Sequence, residues 1–156
     1  MKITLIQTGK TRFDYIQEGI SDYQKRLRHY ITFEELTLPD LKDRKNLSIE
    51  EIKVREGAQL LKKCKSLDFV ILLDENGKSF SSMELANYLQ KRIVSGRNIV
   101  LVIGGAYGFS KEVFKRADET ISLSKMTFSH QLVRLILLEQ LYRAMTIIRG
   151  EPYHHE

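Results

Sequence analysis

Residues 98–110 read NIVLVIGGAYGFS, an unbroken apolar run that leads directly into a glycine-rich turn. A second run, FVILL at residues 69–73, is also apolar at every position rather than at alternate positions. Strands that are apolar on both faces are typical of parallel sheets covered by helices on each side. The two runs therefore predict an α/β fold with a mostly parallel sheet and helices on both faces.

Shorter runs of β-type residues complete the predicted sheet, and segments with helical periodicity fill most of the intervals between them. The five predicted strands span residues 3–8, 31–38, 69–74, 98–103 and 119–122. Strand and helix alternate throughout, without a low-complexity segment or an internal repeat. The chain of 156 residues is therefore predicted to form one domain spanning residues 1–156.

Two of the predicted helices carry clear signals at their ends. Ser48 with Glu51, and Ser81 with Glu84, have the spacing of a capping box, which satisfies backbone amides at a helix N-terminus. Gly96 suits the left-handed position just after the second of these helices. Both helices are therefore predicted to begin at defined residues, and the second is also predicted to end at one.

The last predicted helix, over residues 129–148, carries more apolar side chains than one buried stripe requires. A second copy of the chain would cover the surplus and would form an isologous homodimer. Complete burial within one subunit is the alternative.

Composition limits the classes of function. The chain has 25 Lys and Arg against 20 Asp and Glu, a net charge of +5, which suits a polyanionic partner, although many basic proteins bind none. The single cysteine, Cys64, excludes an internal disulfide, and no set of His, Cys and carboxylates has metal-ligand spacing. Residues 1–7 are too short an apolar run for a signal peptide, and no stretch approaches the roughly 20 residues that cross a bilayer. We expect a cytoplasmic protein with no metal and no membrane partner.

Ligands of parallel α/β sheets bind beyond the carboxyl ends of the strands, which here places interest on the loops after Leu73, Ile103 and Ser122. The loop after Ile103 has the pattern GGxxG. This pattern is neither the dinucleotide fingerprint nor a phosphate-binding loop, which requires a Lys and a Ser or Thr. Taken alone, it is equally compatible with a tight turn.

Four segments together resemble the RlmH family, the compact SPOUT-class methyltransferases of bacterial large-subunit ribosomal RNA. They are the IGGAYG turn at 103–108, SLSKMTFSHQLVR at 122–134, LYRA at 141–144 and PYHHE at 152–156. The resemblance covers nearly the whole chain. It implies methyl transfer from S-adenosylmethionine to N3 of a pseudouridine in 23S rRNA, position 1915 in the usual rRNA numbering, on the assembled ribosome. It also implies a homodimer and a C-terminal trefoil knot, which general topology rules would not suggest.

The resemblance implies a set of cofactor-binding positions on the three loops. These are Leu73, Gly104, Leu123, Ser124, Lys125, Met126, Thr127 and Phe128. An adenine ring needs apolar walls and a few backbone donors and acceptors, and loops clustered at strand ends supply both.

Catalysis is expected to rest mainly on alignment of the pseudouridine with the donor methyl group. His154 is our candidate for accepting the N3 proton, and Tyr153 for stacking on the base. Arg143, together with Arg134, is a candidate for holding phosphate or stabilising the developing anion. Alternatively, Arg143 only pairs along its helix and the tail is disordered. For His130 we favour a structural role.

The chain departs from the family's usual pattern at two places. His155 replaces the usual Arg or Lys, and Ala106-Tyr107 replaces a Pro-Glu pair seen in some relatives. Two other functions stay open from the sequence alone. One is a non-catalytic RNA- or ribosome-binding protein that retains the fold, and the other is a small α/β enzyme that uses a different nucleotide.

Overall fold

The computed structural model describes residues 1–155; Glu156, the last residue of the predicted tail, lies outside the described residues. Strands and helices alternate along most of the chain. Their order is β1 (Lys2–Thr8), α1 (Asp14–Leu27), β2 (Thr32–Leu38), a 3₁₀ turn (Arg44–Asn46), α2 (Ile49–Leu61), β3 (Phe69–Ser79), α3 (Ser82–Val94), β4 (Ile99–Ile103), α4 (Lys111–Arg116), β5 (Glu119–Ser122) and α5 (Leu132–Ile148).

The five strands form one sheet in the order β2-β1-β4-β3-β5, and all four pairings are parallel. Leu101 of β4 lies opposite Leu5 on one side and Ile71 on the other, so the two apolar runs of the sequence are adjacent in the sheet. The prediction of a parallel α/β sheet is confirmed. Because every strand runs in the same direction, the loops after β3, β4 and β5 meet at one edge.

Both faces of the sheet are buried, as the two unbroken apolar runs predict. Leu101 belongs to a core formed with α1, α3 and α5. Its neighbour Val102 belongs to the opposite core, formed with α2 and α4. Successive side chains of a strand point to opposite faces, so only a strand that is apolar at every position fits between two helical layers.

The predicted helix signals are confirmed. The Glu51 amide donates to Ser48 Oγ at 3.1 Å, and the Ser48 amide donates to Glu51 Oε2 at 2.8 Å. Ser81 and Glu84 form the same reciprocal pair at the start of α3. Gly96 follows α3 with a φ of 74°, in the left-handed region.

Two element boundaries differ from the predicted ones by more than one residue. Strand β3 continues to Ser79 instead of ending at residue 74, because its pairing with β5 shifts register between Leu73 and Lys78. Residues 74–77 bulge out of the ladder at this shift. Helix α5 begins at Leu132 rather than at residue 129, and the Leu132 amide is capped by Ser129 Oγ at 3.1 Å. Between residues 1 and 155, no helix is both long enough and apolar enough to span a bilayer.

Candidate active site

A cavity of about 440 Å³ opens at the carboxyl edge of β3, β4 and β5. Its lining brings together seven of the eight positions implied for the cofactor, namely Leu73, Gly104, Leu123, Ser124, Met126, Thr127 and Phe128. Lys125, the eighth, lies in the same segment with an exposed side chain, outside the lining. The three loops that the sheet direction selects therefore form the walls of a single cavity.

The glycine-rich turn forms one wall of this cavity. The Gly108 amide donates to the Gly105 carbonyl at 3.1 Å, and Gly108 has a φ of 78°, in the left-handed region that favours glycine. A Cβ at Gly104 would lie 3.0 Å from Phe109 Cε1, and Phe109 is buried. A larger side chain at position 104 must therefore displace this ring or enter the cavity.

The segment after β5 forms the opposite wall and is ordered by its own side chains. Ser122 Oγ donates to the Ser124 carbonyl at 2.8 Å, and Ser124 Oγ accepts from the Met126 amide at 2.9 Å. These bonds fold an irregular loop without a helix or strand. Thr127 Oγ1 donates to Glu75 Oε2 at 3.3 Å, which connects this wall to the bulge of β3.

The bulge of β3 places two carboxylates on the cavity, and the sequence analysis did not identify them. Asp74 and Glu75 both line it. Asp74 Oδ1 accepts from the Asn76 amide at 2.9 Å, which closes a local turn. The run DENG at residues 74–77 is the signal that was available, since Asp, Asn and Gly directly after a buried strand are typical of a turn.

The structure contradicts the structural role that we favoured for His130. Its imidazole is exposed and lines the cavity, and only its backbone carbonyl is used structurally. Partial burial and the nearby guanidinium groups of Arg134, Arg12 and Arg44 lower the pKa of His130, while Asp40 opposes them. His130 therefore presents a mainly neutral imidazole at the cavity near pH 7.

Arg134, suggested above as an anion-binding residue, is a structural residue instead. It is only 1% exposed. Its guanidinium donates to the carbonyls of Thr8 at 2.7 Å, Gly9 at 2.9 Å and His130 at 3.1 Å, and to Thr11 Oγ1 at 3.0 Å. These bonds join the start of α5 to the end of β1, and they leave the guanidinium no free face for phosphate.

Arg134→Met is expected to lower the free energy of unfolding by about 3 kcal/mol, because it leaves buried carbonyls without a donor. Chemical denaturation measures this change. Arg55→Met, at an exposed position of α2, is the control and should change stability by less than about 0.5 kcal/mol. An Arg134→Met protein as stable as the control would contradict the structural role.

The three residues predicted to act in catalysis lie together on α5 and the tail. Arg143 Nη1 lies 3.3 Å from His154 Nδ1, and the Arg143 guanidinium lies 4.8 Å from the centre of the Tyr153 ring. Arg143 Nη2 also donates to Glu139 Oε1 at 2.6 Å. Tyr153 and His154 of the tail are thus packed against α5, with Tyr153 edge-on to Tyr142 at 4.7 Å between ring centres.

The electrostatics of this group restrict which residue accepts a proton. Burial, together with hydrogen bonding to Tyr23, raises the pKa of the Tyr153 phenol, so this residue stays protonated at neutral pH. The hydrogen bond to Glu139 raises the pKa of Arg143, which stays charged. Neither Tyr153 nor Arg143 is therefore the proton acceptor of this group.

Among residues 1–155, the tail and the cavity do not meet within one chain. None of Arg143, Tyr153 and His154 lines the cavity. The tail instead contacts α5 and α1, where Tyr153 Oη lies 3.3 Å from Tyr23 Oη. An active site that uses both the cavity and these three residues therefore requires a different arrangement of the tail or a second copy of the chain.

A second, larger cavity of about 780 Å³ lies between α1 and the edge strand β2. Its lining mixes cationic and anionic side chains, among them Lys10, Arg12, Glu35 and Asp40. It contains none of the three strand-end loops that ligands of such sheets use. We therefore assign the candidate site to the smaller cavity. Within residues 1–155, no group of three or more His, Cys, Asp or Glu side chains is arranged to hold a metal ion.

Comparison with known proteins finds relatives that are all named as methyltransferases. A family model described as "Predicted SPOUT methyltransferase" matches residues 1–154. Ribosomal RNA large subunit methyltransferase H of Parabacteroides distasonis is 54% identical over 157 residues, covering 100% of both chains. The protein of that name from Christiangramia forsetii is 54% identical over 156 residues, covering 99% of both chains, and that from Flavobacterium johnsoniae is 52% identical over 157 residues, covering 100% of both.

A solved structure shows a related fold. The tRNA (m1G37) methyltransferase from Aquifex aeolicus superposes with a TM-score of 0.58, at 17% identity, over 100% of this chain and 76% of the other. At this identity the likeness concerns the fold alone.

Proposed function

The chain belongs to the SPOUT methyltransferases and, within them, to the ribosomal RNA large subunit methyltransferase H family, and from that membership we propose the reaction and the site. The proposed reaction transfers a methyl group from S-adenosylmethionine to N3 of a pseudouridine in 23S rRNA. One observation carries the proposal: seven positions implied for the cofactor, scattered over three loops, line one cavity at the carboxyl edge of the sheet. The proposed location is the cytoplasm, with the large subunit or the assembled ribosome as partner.

The cavity suits an adenosyl group in size and lining. Its volume of about 440 Å³ lies within the usual range for small-ligand sites, roughly 300–1,000 Å³. Leu73 and Phe128 offer apolar surface for a purine, and the glycine turn offers backbone groups. Asp74 and Glu75 are suited to bind hydroxyl or ammonium groups. When bound, S-adenosylmethionine supplies a methyl group that its sulfonium already activates for transfer.

The protein itself then has two tasks: it aligns the pseudouridine N3 with the methyl group, and it removes the N3 proton. The cavity residues would hold S-adenosylmethionine, which would supply the methyl group that replaces the N3 proton, and a ring nitrogen of His154 would accept that proton. Tyr153 stacks on the base, and Arg143 stabilises the negative charge that develops on it. Orientation of the reacting atoms supplies much of the rate.

We propose a homodimer in which the tail of one subunit completes the cavity of the other. Two observations support it: none of residues 152–155 lines the cavity of its own chain, and large apolar side chains lie exposed at the start of α1 and of α5. Phe13 is 50% exposed, Tyr15 65% and Leu132 37%. A trefoil knot in the C-terminal part is likewise proposed from family membership.

His154→Gln is expected to lower kcat about 100-fold, because glutamine cannot accept the N3 proton. His130→Gln is the matched control, since His130 is the histidine that lines the cavity. If His130 were the base, its lowered pKa would move the rise of activity with pH to lower pH. Methyl-transfer assays measure kcat of both variants, and a large loss in His130→Gln but not in His154→Gln would assign the role of proton acceptor to His130.

Calorimetric titration with S-adenosylmethionine tests the proposed cofactor. We expect saturable binding with one site per subunit. Absence of binding by the wild-type protein would overturn the enzymatic proposal and leave a non-catalytic RNA- or ribosome-binding role.

A further inference from the structure

One buried carboxyl group, on α2, belongs neither to the cavity lining nor to the tail. Glu56 is 2% exposed. Neither of its oxygens has a hydrogen-bond partner among the residues that the structure describes, and the nearest cation is Arg44, whose Nη1 lies 3.8 Å from Oε1. Burial of an incompletely paired carboxyl is costly, so a folded protein keeps one only where it has a use.

The carboxyl lies against the glycine-rich turn. A Cβ at Gly105 would lie 2.4 Å from Glu56 Oε2, and the three nearest atoms all belong to Glu56. Gly105 is not among the residues with positive φ. Glycine is therefore needed at position 105 because the carboxyl occupies the space of a side chain, and not because of backbone conformation.

Further contacts reach Tyr107 of the same turn and Ser110 just after it. A Cβ at Gly57, the next residue of α2, would lie 2.6 Å from Ser110 Oγ, so α2 also packs closely against the start of α4. The Arg44 guanidinium lies 5.3 Å from the centre of the Tyr107 ring. Glu56 and Arg44 thus contact residues 105 and 107 of the turn, and α2 also packs against Ser110 just after it.

We propose that Glu56 is a positioning residue whose buried carboxyl, supported by Arg44, holds the Gly104–Gly108 turn in the shape that receives the methyl donor. The expected effect on binding of the methyl donor rests on the proposed function. The expected effect on the conformation of the turn does not depend on that function. Burial raises the pKa of Glu56, while Arg44 lowers it and Asp40 raises it further. Glu56→Gln keeps the shape of the side chain and its contact with the turn, and it serves as the conservative variant.

Hydrogen exchange of the ligand-free protein tests the effect on the turn. In Glu56→Ala, amides of residues 104–110 should exchange about tenfold faster, whereas Glu56→Gln should remain near the wild-type rate. Glu50→Ala, at an exposed position of the same helix, is the control and should not change these amides. A wild-type rate at 104–110 in Glu56→Ala, or equal acceleration of all peptides, would overturn the proposal.

A double-mutant cycle tests the effect on the donor. Gly105→Ala and Glu56→Ala should each weaken S-adenosylmethionine binding about tenfold, and the double variant should be no weaker than either alone, since it removes the clash. If the wild type binds and both single variants bind equally well, the positioning role fails and the function stands. If the wild type does not bind, the proposed function fails, and hydrogen exchange still decides the role of Glu56.

Discussion

Replacing Gly104 with valine is expected to weaken binding of S-adenosylmethionine about 100-fold. Even a Cβ at this position would lie 3.0 Å from the buried Phe109 ring, so the two further methyl groups of valine must push the ring aside or enter the cavity. Calorimetric titration measures the change. Gly104→Ala should fall between the wild type and valine.

The control for this experiment is Gly96→Ala. Gly96 has a φ of 74°, and no neighbouring atom lies within 4 Å of the position that a Cβ would take, so alanine there strains only the backbone. It should lower stability by about 1 kcal/mol and leave the affinity unchanged. Wild-type affinity in Gly104→Val would show that the glycine turn does not line the cofactor site.

Deleting residues 152–156 is expected to lower kcat at least about 100-fold while S-adenosylmethionine binds as before. The deletion removes Tyr153 and His154, and with them the proposed stacking surface and proton acceptor. None of residues 152–155 lines the cavity of its own chain, so the walls that would hold the cofactor remain. Equal loss of cofactor binding would contradict this division of roles.

Mixing the deleted protein with Gly104→Val tests whether the site is shared between subunits. In a mixed dimer, the intact cavity of the deleted subunit faces the intact tail of the valine subunit. Random reassortment should therefore restore about a quarter of wild-type activity. No recovery, although mixed dimers are shown to form, would mean that each subunit uses its own tail.

The sheet could be predicted because its signals are local. An apolar residue at every position of Phe69–Leu73 and Ile99–Ile103 indicates burial on both faces, whatever the rest of the chain does. The capping boxes at Ser48 and Ser81 are likewise contained within four residues. The direction of the strands then placed the three site loops at one edge of the sheet.

The parts that could not be predicted depend on contacts between distant segments. Arg134 and Arg143 lie on the same helix, yet one is buried under the carbonyls of β1 and the other faces the tail. Glu56 is one of several glutamates in its helix, and only the approach of the Gly105 turn distinguishes it. The structural role expected for His130 is wrong for the same reason, since the exposure of this residue depends on the loops around it.

Methyl transfer to ribosomes is the decisive test of the proposed reaction. Ribosomes that lack this modification are incubated with the protein and S-adenosylmethionine carrying a labelled methyl group, and the nucleosides of 23S rRNA are identified by mass spectrometry. We expect label in N3-methylpseudouridine at one position, with naked 23S rRNA a much poorer substrate. Absence of label in the rRNA, or label on a different nucleoside, would show that the proposed reaction is wrong.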